Sequence, residues 1–212
     1  ITISLAPSDI KKKGTCFDLA IALGILSATQ QLNEQNLKNY YVLGELSLDG
    51  KLRGISGALN MARLASRAGF KEIILPASNA REAAVVQDIA VIPAPDLNAI
   101  ISHLEGRKKI ALQPPTEIHD VRGQTKHAVD ISEIRGQQNA KRALAIAAAG
   151  GHNMLMIGSP GGGKTMLAQA LNSILPPPNL EEIIEITKIY SAAGVLGERP
   201  FINFRPFRSP HH

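Results

Sequence analysis

Residues 154–171 read MLMIGSPGGGKTMLAQAL: an apolar run, a glycine-rich turn and a helix-forming run in succession. Within it Gly158, Ser159, Pro160, Gly161, Gly162, Gly163, Lys164 and Thr165 spell G-x-x-x-x-G-K-T. That order predicts a strand, a tight loop and a helix, the arrangement that turns backbone amides onto a phosphate. Glycines admit the φ/ψ values and the close approach such a loop needs, and the helix N-terminus adds partial positive charge. In that chemistry Lys164 reaches the β- and γ-phosphates of ATP, and the Thr165 hydroxyl ligates Mg²⁺.

Working outward, NMLMIG at 153–158 is continuously apolar, as expected of a strand in a parallel sheet covered on both faces. Upstream, QQNAKRALAIAAAGG predicts a helix with Ala143, Leu144, Ile146 and Ala147 on one face, closed by Gly150-Gly151. Downstream, the helix KTMLAQALNSIL stops at Pro176-Pro177-Pro178. Glu181, Glu182 and Glu185 read as the first turns and exposed face of a further helix, favourable with its dipole. They follow the loop too closely to be the carboxylates that hold Mg²⁺ in a nucleotide-hydrolysing site.

The first part of the chain alternates strand and helix patterns. ITISLA at 1–6 alternates as a strand, and Thr15 and Asp18 form a T-x-x-D capping box. Leu19 to Leu26 is apolar almost all round and predicts a buried helix. YYVLGELSLDGKLRGI predicts two strands joined at Asp49-Gly50, a strong hairpin dipeptide. Then come a helix ending before Gly69, a strand KEIILP, a helix NAREAAVV, a strand IAVIP and a helix DLNAIISHL. Residues 106–130 lack a period, contain Pro114-Pro115 and read as a linker. Within them DVRGQ at 120–124 is echoed by EIRGQ at 133–137, a local duplication or chance. The expected division is a mixed α/β domain over 1–105, a linker over 106–130 and a second domain over 131–212.

Composition agrees with that class. Of 212 residues, 44% are hydrophobic and only 4% aromatic, with no Trp, so the core is built from Ala, Leu and Ile. This favours helix-on-sheet layers over a β-sandwich. One Cys excludes an internal disulfide and fits a reducing compartment, hence the cytoplasm. No run of eighteen apolar residues is present to span a membrane. A net charge of +5 permits nucleic-acid contact without requiring it. The chain opens on strand-like Ile-Thr-Ile without Met and closes on FRSPHH, so it reads as an internal piece of something longer.

Pro160 in the loop, and EIRGQQNAKRAL one helix upstream, resemble the AAA+ branch of the phosphate-loop proteins. By that resemblance Ile134, Arg135 and Gly136 pack beside the adenine; the alternative is that they only start a helix. The stretch AKRALAIAAAGGHNMLMIGSPGGGKTMLAQALNSILPP, followed by ERPFINFRPFRSPHH, is more specific. It resembles the magnesium-chelatase-like AAA+ proteins of the bacterial YifB/ComM group. APSDIKKKGTCFDLAIALGILSA and VLGELSLDGKLRGISGAL resemble that group's amino-terminal domain, so the likeness runs the whole length. It implies a Lon-protease-like, S5 domain 2-like α+β domain, then the start of an AAA+ domain with a parallel sheet. It also implies an ATP- and Mg²⁺-dependent hexameric ring that drives DNA branch migration in natural transformation. Arg199, Arg205 and Arg208 are then the nucleic-acid candidates, while the short basic runs at 11–13 and 107–109 suit solvated surface.

Two alternatives stay open. One is a chelatase ATPase driving Mg²⁺ into a porphyrin; the other is a protein-remodelling module whose Lon-like domain recruits a client. Proteolysis is disfavoured. The resemblance sets Cys16 at the nucleophile's position, but the partnering lysine's position falls on Leu59, and no Lys occurs from Gly54 to Arg67. His211-His212 are adjacent and suit a shared metal poorly, and the other histidines are scattered. No apolar strand ending in Asp-Glu follows Thr165, so this stretch is expected to bind nucleotide without hydrolysing it, and no catalytic residue is assigned within it.

Overall fold

The computed structural model describes residues 2–3, 15–118 and 129–209. Apart from residues 2–3, the strand read over 1–6 lies outside the described residues, as do the basic run at 11–13, the first half of the internal echo and His211-His212. Contacts divide the chain into two units: Ile1–Ile118 with Ile184–Ile202, and His119–Ile183 with Asn203–His212.

The first unit is a three-layer α/β arrangement. In chain order it contains α1 (Asp18–Ala28), β1 (Tyr40–Val42), β2 (Glu45–Leu46), β3 (Leu52–Arg53) and α2 (Ala58–Arg67). Then follow β4 (Glu72–Pro76), α3 (Ala80–Ala83), β5 (Ala90–Ala94) and α4 (Leu97–Leu104). Strands β1, β4 and β5 form a parallel sheet with β4 central, in register Tyr41–Ile73 and Ile73–Val91. Both faces of β4 are covered, which is why EIILP reads as an uninterrupted apolar run. Ile73 and Leu75 pack with Ala62, Ala65, Ala80 and Ala83 of α2 and α3. Ile74, on the opposite face, packs with Leu19 and Leu23 of α1 and Ile100 and Leu104 of α4.

Local signals account for most boundaries. Asp49-Gly50 turns between antiparallel β2 and β3, with Gly50 at φ +80°, a value that favours glycine. Asp96 caps α4 by accepting from the Ala99 amide at 2.7 Å. Gly69, at φ +90°, ends α2 as read from the sequence. The Thr15–Asp18 capping box does not form: Phe17 holds the N-cap position, and the Thr15 hydroxyl donates instead to the Glu45 carboxylate. Nor is α1 buried all round. It buries Leu19 and Leu23, one turn apart on the sheet side, and leaves Ile25 exposed.

The stretch read as a linker from 106 is bonded to this unit through Thr116. The Gln113 amide donates to Val91 O at 2.8 Å, and the Thr116 amide to Ala84 O at 2.9 Å. The segment 184–202 also belongs here, although its position in the sequence placed it with the second domain. Its anchor is Glu82, a carboxylate only 8% exposed. Glu82 accepts from the Leu59 amide (2.9 Å), the Asn79 side-chain amide (3.2 Å) and the Ser191 hydroxyl. Since the N-cap of α2, Gly57, offers no side-chain cap, Glu82 stands in for one, and its buried oxygens are satisfied by these donors.

The second unit contains α5 (Gln138–Gly150), α6 (Lys164–Ile174) and the first residues of α7 (Leu180–Ala192). Its core is Ile134, Leu144, Leu167 and Ala170, with Ile131, Met156, Leu171 and Ile174 against it. The expected strand at 153–158 is not formed, and the second unit holds no strand among its described residues. Met156 faces the core while Leu155 and Ile157 stand 82% and 88% exposed. A strand is completed only by hydrogen bonds to a neighbour, and no described residue pairs with this one. The parallel sheet of this structure is in the first unit.

His103 provides a test of the first unit. Its imidazole, 4% exposed, accepts from the Ile110 amide at Nδ1 (2.9 Å) and meets the Tyr40 ring edge-on. Burial, then the Lys109 charge, hold its pKa below the ordinary value, with Glu72 opposing. The unfolded chain therefore binds this proton more readily, so His103 favours folding above about pH 6.5 and that contribution falls as pH drops below it. Urea unfolding should show stability falling between pH 7 and 5, by at most about 1.4 kcal/mol per unit from this group. His103→Gln should remove that slope; a slope unchanged in the variant would assign it to other groups.

Candidate functional site

The glycine-rich loop closes on itself around a lysine. Gly161 and Gly163 sit at φ +78° and +76°, where a side chain would be strained. Gly163 is the N-cap of α6 and offers no side chain to its amides. The Gly162 amide donates to Ser159 O at 3.3 Å, and the Leu167 amide to Gly163 O at 2.9 Å, the first turn of the helix. Lys164 folds back so that Nζ donates to Gly158 O (2.9 Å) and Ser159 O (2.7 Å). The ammonium is thereby held over the loop at the positive end of α6.

Gly158 to Gly163 are all exposed, as is Thr165. The donor set fits a nucleotide's phosphates: glycines with positive φ, an uncapped helix start, and one ammonium resting on two loop carbonyls it can exchange for anionic oxygen. Thr165, on the first turn of α6, is the residue that would hold Mg²⁺ beside them. Of the adenine candidates, Ile134 is buried in the unit's core while Arg135 and Gly136 are exposed. Gly136 and Gln137 both have positive φ, and Lys141 Nζ donates to Ile134 O, so this turn is fixed against α5.

The three candidate arginines are not equivalent. Arg199 falls in the first unit, and Arg205 and Arg208 in the second. Arg208 is exposed. Arg205 is engaged on every side of its fork: Nη1 to Glu182 Oε1 (2.9 Å), Nη2 to Glu182 Oε2 (2.8 Å) and Nε to Pro176 O (2.8 Å). Glu182 also caps α7, accepting from the Asn179 amide at 2.8 Å while Asn179 Oδ1 accepts from the Glu182 amide at 2.9 Å. Arg205, then the Asn179 amide, hold the Glu182 carboxyl below the usual carboxylate range. Reading Glu182 only as exposed helix surface misses this pair. Asn179-x-x-Glu182 was a visible capping box, but the 23-residue reach to Arg205 leaves no local signal.

In the first unit, Leu59 is fully buried and hydrophobic where the resemblance sets a lysine, and the ten residues of α2 include no Lys. Cys16 is half-buried; burial, together with the Asp18 charge, raises its thiol above the ordinary value against an opposing backbone hydrogen bond. A cleft of about 700 Å³ is lined by Thr15, Asp18, Glu45, Asp49, Lys51 and Arg53. Its charges face one another, with Lys51–Asp49 at 3.4 Å and Arg53–Glu45 at 3.7 Å. Among the described residues no cluster of three metal-ligating side chains occurs, and no helix is long and apolar enough to cross a membrane.

Residues 130–212 match the family model described as magnesium chelatase, subunit ChlI, and residues 1–79 match that of subunit ChlI of Mg-chelatase. The chain is 44% identical over 212 residues to the uncharacterized protein YifB of Salmonella typhimurium, covering all of this chain and 41% of that protein. It is 44% identical over 217 residues to the competence protein ComM of Haemophilus influenzae, covering all of this chain and 42% of the relative. An archaeal Lon protease from Thermococcus kodakarensis is 35% identical over 83 residues, 35% of this chain and 13% of the protease. The chain thus spans about two fifths of the length of the curated relatives that it matches from end to end.

The state of Cys16 is open to direct measurement. With its pKa raised and its side chain half-buried, alkylation by iodoacetamide at pH 8 should run about 3-fold or more slower than for a cysteine in a short peptide. The rate should still be climbing at pH 9. Labelling as fast as the peptide, with a plateau below pH 8, would instead reveal an activated thiolate.

Proposed function

Because the chain belongs to the magnesium-chelatase-like proteins of the YifB/ComM type, we propose that it carries the nucleotide grip of an AAA+ ATPase. The observation that supports this most is the loop at Gly158–Thr165, with Lys164 drawn over its carbonyls at the start of α6. In this reading MgATP, when bound, supplies the phosphoanhydride and the metal's charge. The glycine amides and the α6 N-terminus orient the phosphates, Lys164 neutralises them, and Thr165 holds the metal. Ile134, Arg135 and Gly136 form the adenine side. The fold proposed for the first unit is the Lon-like, S5 domain 2-like one, without proteolytic activity, since α2 offers no lysine to partner Cys16.

No aspartate follows Thr165 in the sequence, so the proposal gives this chain nucleotide binding and gives hydrolysis to the longer protein. For that protein we favour ATP-driven remodelling of DNA by a cytoplasmic hexameric ring, in line with a relative named competence protein. Arg208 is the exposed candidate for a phosphate contact, and Arg199 the candidate in the first unit. A second reading, Mg²⁺ insertion into a porphyrin, draws on the ChlI descriptions at both ends of the chain.

Turnover by the full-length protein separates the two. The DNA reading expects ATP hydrolysis stimulated by DNA, indifferent to porphyrin and lowered at least about 100-fold by Lys164→Ala. Turnover that ignores DNA but rises with a porphyrin substrate would overturn it in favour of chelation. Activity surviving Lys164→Ala would remove the loop from the account.

A further inference from the structure

We infer that Arg205 is a positioning residue for the nucleotide site: it clamps the far end of the loop's helix and does not contact nucleic acid. The inference rests on the reading of Gly158–Thr165 as a nucleotide grip. The turn between α6 and α7 contains Pro176, Pro177 and Pro178, none of which has a backbone N–H to donate. Three residues in succession therefore donate no main-chain hydrogen bond to hold this turn, and Leu175, the C-cap of α6, is in extended conformation.

Arg205 supplies what the prolines lack. Its Nε reaches the Pro176 carbonyl, and its two terminal nitrogens grip both oxygens of Glu182, which in turn caps α7 through Asn179. Its own carbonyl accepts from Asn172 Nδ2, on the last turn of α6, at 2.9 Å. The exit of α6, the proline turn and the start of α7 are thus joined at one residue, the first through its carbonyl and the other two through its guanidinium. Only a planar fork meets two carboxylate oxygens and a carbonyl together; an ammonium is a point charge without that geometry.

The opposite end of α6 carries Lys164 and Thr165. Across eleven residues a helix moves as a rod, so an exit free to shift lets the loop's amides shift with it. The side of α6 is held by Leu167 and Ala170 in the core and by Ser173 Oγ, which accepts from the Ile131 amide at 3.0 Å. Arg205 adds the restraint along its length. Arg208, exposed three residues on, has no such set of partners among the described contacts.

The two roles predict opposite results. MgATP affinity of the 212-residue chain, read by titration calorimetry, should fall about 5-fold or more in Arg205→Lys and in Glu182→Gln, with helix content unchanged by circular dichroism. A phosphate-contact role predicts that Arg205→Lys is tolerated and that Glu182→Gln, by freeing the guanidinium, tightens DNA binding. Exchanging the pair, Arg205→Glu with Glu182→Arg, should recover part of the lost affinity, which a general loss of stability would not allow. Wild-type MgATP affinity in Arg205→Lys overturns the inference. So does a fall of about one in the salt-dependence slope of DNA binding on Arg205→Gln. A wild-type chain that fails to bind MgATP refutes the nucleotide reading itself, and this inference with it.

Discussion

A helix cannot satisfy its own first amides, and the second unit is arranged around how that constraint is met at α6. At α1, α3 and α5 no side chain caps the start either, while three other helices are answered by one. Asp96 caps α4, Asn179 and Glu182 cap α7 reciprocally, and α2 borrows the distant Glu82. At α6 the N-cap is Gly163 in the left-handed region, inside an exposed loop, with a lysine folded over the preceding carbonyls. Positive potential gathers there with no carboxylate supplied by the loop's own sequence. In the proposed reading, nucleotide phosphate is the chemistry that answers it.

How much of this was legible depends on the range of the interaction. The loop, α5 with its closing Gly151, the Asp49-Gly50 hairpin and the Asp96 cap all arise within a few residues, and the sequence pattern names each. The strand expected at 153–158 was equally well formed as a pattern. A strand's existence depends on a neighbour, however, and no described residue pairs with Leu155 or Ile157. Glu182 and Arg205 illustrate the opposite failure. Glu182 read as an exposed helix face and Arg205 as a nucleic-acid candidate, because a contact across 23 residues has no period to reveal it. The seat of 184–202 in the first unit was hidden for the same reason, since its anchor is the hydrogen bond of Ser191 to Glu82, 109 residues away.

The first unit carries the family match of residues 1–79, and the proposed reading gives it no proteolytic role. Its layers follow from β4, whose Ile73 and Leu75 bind one helical layer while Ile74 binds the other. By the resemblance, the position that would hold a lysine is Leu59, fully buried, and the position that would hold the nucleophile is Cys16, whose thiol burial pushes above its ordinary pKa. The unit's cleft pairs Lys51 with Asp49 and Arg53 with Glu45, and its buried carboxylate, Glu82, is spent on architecture. The chemistry proposed for this chain is concentrated in residues 158–165.

The most direct test of that claim is a proton–nitrogen correlation spectrum of the 212-residue chain titrated with MgATP. The account predicts saturable shifts led by the amides of Gly161, Gly163, Lys164 and Thr165, with smaller ones at Ile134 to Gly136, and none of this pattern in Lys164→Ala. Shifts that bypass the loop, or a spectrum unchanged at millimolar MgATP, would contradict it.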